Sequence, residues 1–222
     1  MRDISRLLIN FASHPDVPER QQGGIKLKNA KIKRMVGVAL LMAMVIVLQF
    51  VGSMIPPIGG TVSISLVLIP IIIGAAVYGC GAGAILGMTF AVVTLINCIT
   101  GADPGGAMVF QANPVMCVLV VVGKSILCGL ASGWVYALIS KKNAYVGMLC
   151  AAIICPVVNT GVFVTCMLLF FKPVLSAWAG GTDVITYVLT GLVLCNFVPE
   201  MILNVVFSPA GHQITRIVKK TK

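Results

Sequence analysis

Two ionisable side chains, Lys124 and Glu200, stand inside otherwise apolar runs of this 222-residue sequence. A charge at the centre of a bilayer costs several kcal/mol, roughly 2.5 to 3.5 on insertion scales, so each one needs a partner or a task. Two amides, Asn159 and Asn196, lie in neighbouring runs. With the runs as helices, Lys124 is about 15 Å below the outer end of its run, and Asn159 and Asn196 are about 18 Å below theirs. Three polar groups on three helices thus share one level. An ammonium on the floor of an otherwise neutral pocket suits a small anion, and the amides supply donors and acceptors for hydroxyl and amide groups. Thr94, Asn97, Gln111 and Asn113, near the outer ends of their segments, are candidates for the pocket mouth. Ordinary helix-end and loop polarity accounts for those four equally well.

Asn196, Glu200 and Asn204 recur every four residues and so form a polar stripe on one helix face, which should look inward. Such groups also serve as glue between membrane helices, and a Lys124–Glu200 ion pair would be one example. A stand-alone secondary transporter or channel using the two as an ion or proton relay is the alternative. An enzyme is not expected. Both histidines, His14 and His212, lie in the tails, and no acidic cluster is available for general acid and base work. The eight cysteines show no CxxC spacing and read as small apolar packing residues, with neither metal site nor cofactor implied. Gly123-Lys124-Ser125 imitates the end of a phosphate-binding loop, but position 118, where the motif needs Gly, is Val.

The elements that position these groups follow from composition. With 59% hydrophobic and 10% charged residues, most of the chain must face lipid. Continuous apolar runs of about 20 residues fit membrane helices and not the alternating short segments of a β-barrel. The sequence therefore predicts an all-α polytopic membrane protein, a bundle of six transmembrane helices over 35–54, 61–78, 82–99, 114–139, 145–171 and 184–207. The break at Gly79-Cys80-Gly81 leaves a re-entrant hairpin open as an alternative for the second and third. Residues 35–207 form the substrate-binding domain, between a basic segment 1–34 and a basic tail 208–222. Ile4, Leu7, Leu8 and Phe11 have the spacing of a short interfacial helix; no secretory signal is read there. Fourteen of the sixteen Lys and Arg fall on one side of the six spans, which predicts that both termini are cytoplasmic in the cell membrane. The net charge of +10 then reflects topology and anionic lipid headgroups, without a nucleic-acid partner. Outer loops are expected at 54–60, 100–113 and 172–183.

Ala39 and Ala43 in the first span make a small-xxx-small face that lets another helix approach closely; Gly129 and Gly133 make a second. The Ala pair after a Lys/Arg cluster, with Ile69-Pro70-Ile71-Ile72-Ile73-Gly74-Ala75 and Gly81-Ala82-Gly83-Ala84-Ile85-Leu86-Gly87, resembles the S components of energy-coupling-factor (ECF) transporters. The resemblance runs over roughly residues 35–207. Asn113-Pro114, Lys124-Ser125-Ile126-Leu127-Cys128-Gly129 and Val158-Asn159-Thr160 are similar to the pantothenate-type subgroup, which tends to carry Arg where this chain has Lys124. The charge is kept there and the bidentate fork is not. The resemblance implies high-affinity capture of a water-soluble vitamin, with pantothenate the best match. It also implies a transmembrane coupling subunit and two ATPase subunits that drive release inside, docking at Ala39 and Ala43, and toppling of the whole S component in the membrane.

Overall fold

The structure is a computed structural model that describes residues 19–54 and 66–220. The described residues are all-helical, and the chain divides into two units after Gly37, of which Val38–Lys222 holds the helix bundle. Helix α1 is Glu19–Met54, α2 is Leu68–Tyr78, α3 is Cys80–Thr100 and α4 is Pro104–Ala112. Then come α5, Pro114–Ile139, α6, Ala144–Phe170, α7, Lys172–Ala179, and α8, Val184–Tyr187. A π-helical stretch, Val188–Phe197, leads without a break into α9, Val198–Lys220. Among the described residues five helical stretches are long and apolar enough to cross a membrane: Lys31–Ser53, Cys80–Thr100, Pro114–Ile139, Ala144–Phe170 and Val184–Val218. The apolar helix Leu68–Tyr78 is shorter.

Local chemistry sets the boundaries. Gly79, at φ +90°, turns the chain between α2 and α3, and Gly101, at φ +78°, ends α3 in the left-handed conformation that side chains resist. Asn113 caps α5, its side chain accepting from the Met116 N–H, with Pro114 in the first turn where no N–H is missed. Asn143 caps α6 in the same way, accepting from Tyr145 and Val146. Near the end of the π stretch the Val198 N–H reaches the Val193 carbonyl, five residues back, just ahead of Pro199. A proline ring clashes with the carbonyl four residues before it, and a widened turn relieves that clash.

Several expectations shift. The segments 100–113 and 172–183, expected as loops, contain the short helices α4 and α7, each opened by a proline in its first turn. Helix α9 runs on through Pro209 to Lys220 rather than stopping near 207. The proposed interfacial helix around Ile4 and Leu8, and positions 55–60 of the first outer loop, lie outside the described residues.

Helix α5 packs along both α3 and α6, and α9 packs on α6 and α2. The α3–α5 contact is backbone on backbone. A Cβ added at Gly83 would overlap the Gly129 carbonyl, one at Gly129 the Gly83 carbonyl, and one at Gly87 the Ser125 carbonyl. At Gly133 it would stand 2.8 Å from the Cys80 Cα. Two apolar cores form around this axis. One gathers Val45, Leu68, Ile71, Leu86, Phe90 and Met148; the other gathers Val109, Cys117, Val121, Met167, Leu175 and Trp178.

Gly129→Ala should therefore destabilise the protein by about 1 to 3 kcal/mol through overpacking, read as a lower melting temperature in detergent. Gly161→Ala, where an added Cβ meets nothing within 4 Å, should be neutral or slightly stabilising.

Candidate functional site

Where the two apolar cores meet, a cavity of about 970 Å³, its open mouth included, is lined from seven segments of the chain. Helix α1 contributes Gln49, Gly52 and Ser53; α3 contributes Phe90, Thr94, Asn97 and Cys98. Asp103 precedes α4, which adds Gly106 and Val109. From α5 come Cys117, Val120, Val121 and Lys124, and from α6 Asn159, Thr160 and Phe163. Trp178 of α7 and Asn196 of the π stretch complete the wall.

Lys124 is the cationic group of this wall. Its Nζ lies 5.5 Å from the centre of the Phe90 ring and 5.1 Å from that of Phe163, between two aromatic faces that attract a cation electrostatically. No ion pair with Glu200 forms: both carboxylate oxygens of Glu200 are buried without a hydrogen-bond partner in the protein. The ammonium thus lies on the cavity wall with two π-faces near it and, among the described residues, neither an ion pair nor a hydrogen bond.

The same condition holds around it. Thr94 Oγ1, Asn159 Oδ1, Asn196 Oδ1 and Trp178 Nε1 are all buried and have no partner within the protein. Buried polar atoms without a partner are uncommon and costly, about 1 to 3 kcal/mol each. Four of them on residues around one cavity, beside an unpaired ammonium, describe a surface built to be completed by something polar that enters.

The structure brings Lys124, Asn159, Asn196, Asn97 and Thr94 together on this wall and leaves Gln111 and Asn113 off it. Gln111 is exposed on α4, and the Asn113 side chain is occupied as the cap of α5. Ala39 and Ala43 are both exposed on α1, away from the cavity. Sequence reasoning missed Phe90 and Phe163, although Phe90 stands four residues before Thr94 and Phe163 four after Asn159, which puts each on the same helix face. Gln49 also carried a signal, as an amide in an apolar helix. Asp103, Cys98, Cys117 and Trp178 carried none, because only the folding of α4 and α7 over the bundle places their surroundings.

A bundle of membrane-length helices around one polar-floored, laterally aromatic cavity is the build of a membrane-embedded solute-binding protein. The chain belongs to the ECF transporter, substrate-specific component family, whose model matches residues 33–210. No protein of curated function and no solved structure matches it. It is therefore a multi-pass membrane protein that supplies substrate recognition to an ECF transporter.

Because Asn113 caps a helix and does not line the cavity, Asn113→Ala should cost about 1 kcal/mol of stability, measured by thermal unfolding. Gln111→Ala, at an exposed position, should stay within about 0.5 kcal/mol of the parent.

Proposed function

We propose that this protein captures a small anionic vitamin, with pantothenate the leading candidate, on the outer face of the cell membrane. Six spans, with Leu68–Tyr78 as the inner part of the second, place both termini in the cytoplasm. A separate transmembrane coupling subunit and two ATPase subunits then drive import. The observation that carries this reading is the unpaired Lys124 ammonium between Phe90 and Phe163, ringed by polar atoms that lack partners. Pantothenate matches that set: a carboxylate for Lys124, and an amide and two hydroxyls for Asn159, Asn196, Thr94 and Asn97. The apolar stretches Val109, Val120 and Val121 suit its methyl-bearing carbon skeleton.

Binding of a carboxylate at this depth strips water from both charges, so its net value depends on geometry and on the additional hydrogen bonds around it. The neighbouring amides supply those bonds. Lys124→Met keeps most of the stem's volume and removes the charge. Affinity for pantothenate, measured by isothermal titration, should fall by roughly two to four orders of magnitude, about 3 to 5 kcal/mol. Native mass spectrometry of the parent protein identifies any co-purified ligand. Unchanged affinity in a folded Lys124→Met protein rules out Lys124 as the anchor.

Ala39 and Ala43 lie exposed one helical turn apart on α1, where small side chains leave room for another helix to approach. This face docks the coupling subunit. Ala39→Leu or Ala43→Leu should abolish uptake by the assembled transporter while leaving ligand binding to the isolated subunit intact. Loss of binding in the isolated subunit would show instead that the pair supports the fold.

A further inference from the structure

The cavity that holds Lys124 also holds a carboxylate. Asp103 lines it from the turn before α4. It occupies the N-cap position of that helix, in the extended conformation usual for a cap, yet its side chain makes no cap hydrogen bond. A Cβ added at Gly106 would meet the Cys98 Sγ and stand 2.7 Å from Asp103 Oδ2, so the carboxylate is turned back over the first turn of α4, beside Cys98. The absence of a side chain at Gly106 leaves the room for it.

Asp103 and Lys124 stand at different depths. The Asp103 N–H donates to the Asn97 carbonyl at 3.2 Å, which holds the turn at the level of the last turns of α3. Phe90, whose ring centre lies 5.5 Å from Lys124 Nζ, is seven residues before Asn97 on that helix, about 10 Å further down its axis. Among the described residues no ion pair joins the two charges. A third group belongs to the cover: Trp178, on α7, which packs against α4, is 9% exposed, and its Nε1 has no partner in the protein. The cavity thus carries a cation toward its floor, and an anionic acceptor and an unused N–H donor toward its cover.

We propose, resting on the pantothenate reading above, that Asp103 is a specificity-determining residue: it admits substrates with a neutral hydroxyl at the end remote from Lys124 and rejects those with a second negative charge there. A hydroxyl donates to a carboxylate and accepts from an indole N–H, so one kind of group serves both Asp103 and Trp178. An ammonium has no lone pair to offer Trp178. A phosphate ester meets Asp103 as a like charge, in a cavity where little water screens the two. Pantothenate runs about eight bonds from its carboxyl carbon to its terminal hydroxyl oxygen, or about 10 Å when extended, and so is long enough to engage both ends. Its terminal phosphate ester differs only at the end that Asp103 meets. Rejection by an unpaired charge is a recognised route to specificity, separate from any gain in contacts to the favoured ligand. A transporter so built takes the free vitamin and leaves its phosphorylated form outside.

Isothermal titration of the purified full-length protein with pantothenate and with its terminal phosphate ester provides the test. The parent should bind the ester at least about 100-fold more weakly than pantothenate. Asp103→Asn removes the charge at nearly constant shape and, with no cap bond to lose, should melt as the parent does. In this variant the affinity for the ester should rise at least about tenfold, while that for pantothenate falls by up to about tenfold, because a neutral amide oxygen is the weaker acceptor. The opposite signs separate charge repulsion from a general loosening of the site. Asp183→Asn removes an exposed carboxylate that caps α8, accepting from Ile185 and Thr186, and should leave the affinity for the ester at the parent's value. The proposal is overturned, with pantothenate capture left standing, if the parent binds both compounds equally, if ester affinity does not rise in Asp103→Asn, or if it rises as much in Asp183→Asn. A parent protein that binds no pantothenate would sink the vitamin reading and this role of Asp103 together.

Discussion

The contact on which the rest of the structure depends is the one between α3 and α5, where Gly83 meets Gly129 and Gly87 meets the Ser125 carbonyl with no side chain between them. Lipid tails are as apolar as leucine, so membrane helices gain little from burying aliphatic surface against each other; close packing at small residues does the work instead. With the two backbones locked at that level, Phe90, Thr94 and Asn97 on α3 and Val121 and Lys124 on α5 diverge from the contact as the two walls of one cavity. A larger residue in the contact would spread both walls at once, because interiors at this density transmit displacement instead of absorbing it.

Against that rigid pair the cavity places a charge in an unusual setting. Among the described residues Lys124 makes no ion pair, although Asp103 lines the same cavity, and its ammonium lies by the faces of Phe90 and Phe163. Two cation–π contacts contribute on the order of 0.5 to 2 kcal/mol each, depending on hydration. That offsets part of the cost of holding an ammonium inside a bilayer and leaves the remainder for an anion to relieve. The same logic governs Thr94, Asn159, Asn196 and Trp178, whose polar atoms are held by packing and not by partners. A site of this kind is organised in advance, so a bound solute gives up less free energy to ordering of side chains.

The opposite design is seen along α9. Where α3 and α5 meet backbone to backbone, the inward α9 face carries the buried polar side chains Glu200, Asn204 and Ser208, and the π-helical stretch before Pro199 brings Asn196 onto the cavity wall. The short helices α4 and α7 and the Asp103 turn close over the other end, contributing Val109 and Trp178 to the wall. The cavity is thus bounded by one tight seam, one polar seam and a cover of short helices.

The sequence by itself determined the membrane class, the approximate helices and the polar side chains whose burial demands a reason, because hydropathy and the cost of an intramembrane charge are local properties. Lys124, Asn159, Asn196, Asn97 and Thr94 were legible for that reason, and they meet at one cavity. What pairs with what was not legible. Lys124 and Glu200 could equally have formed an ion pair; only the tertiary structure shows them unpaired, with phenyl rings at the ammonium. Two small-xxx-small patterns looked alike on paper, yet Gly129 and Gly133 are consumed by α3 while Ala39 and Ala43 stay exposed. Asn113 looked like a mouth residue and is a helix cap, since the proline after it starts a helix at that point. A spacing rule says which residues share a face of one helix, but which face meets which is set by the mutual fit of whole helices, and that exists only in the tertiary structure.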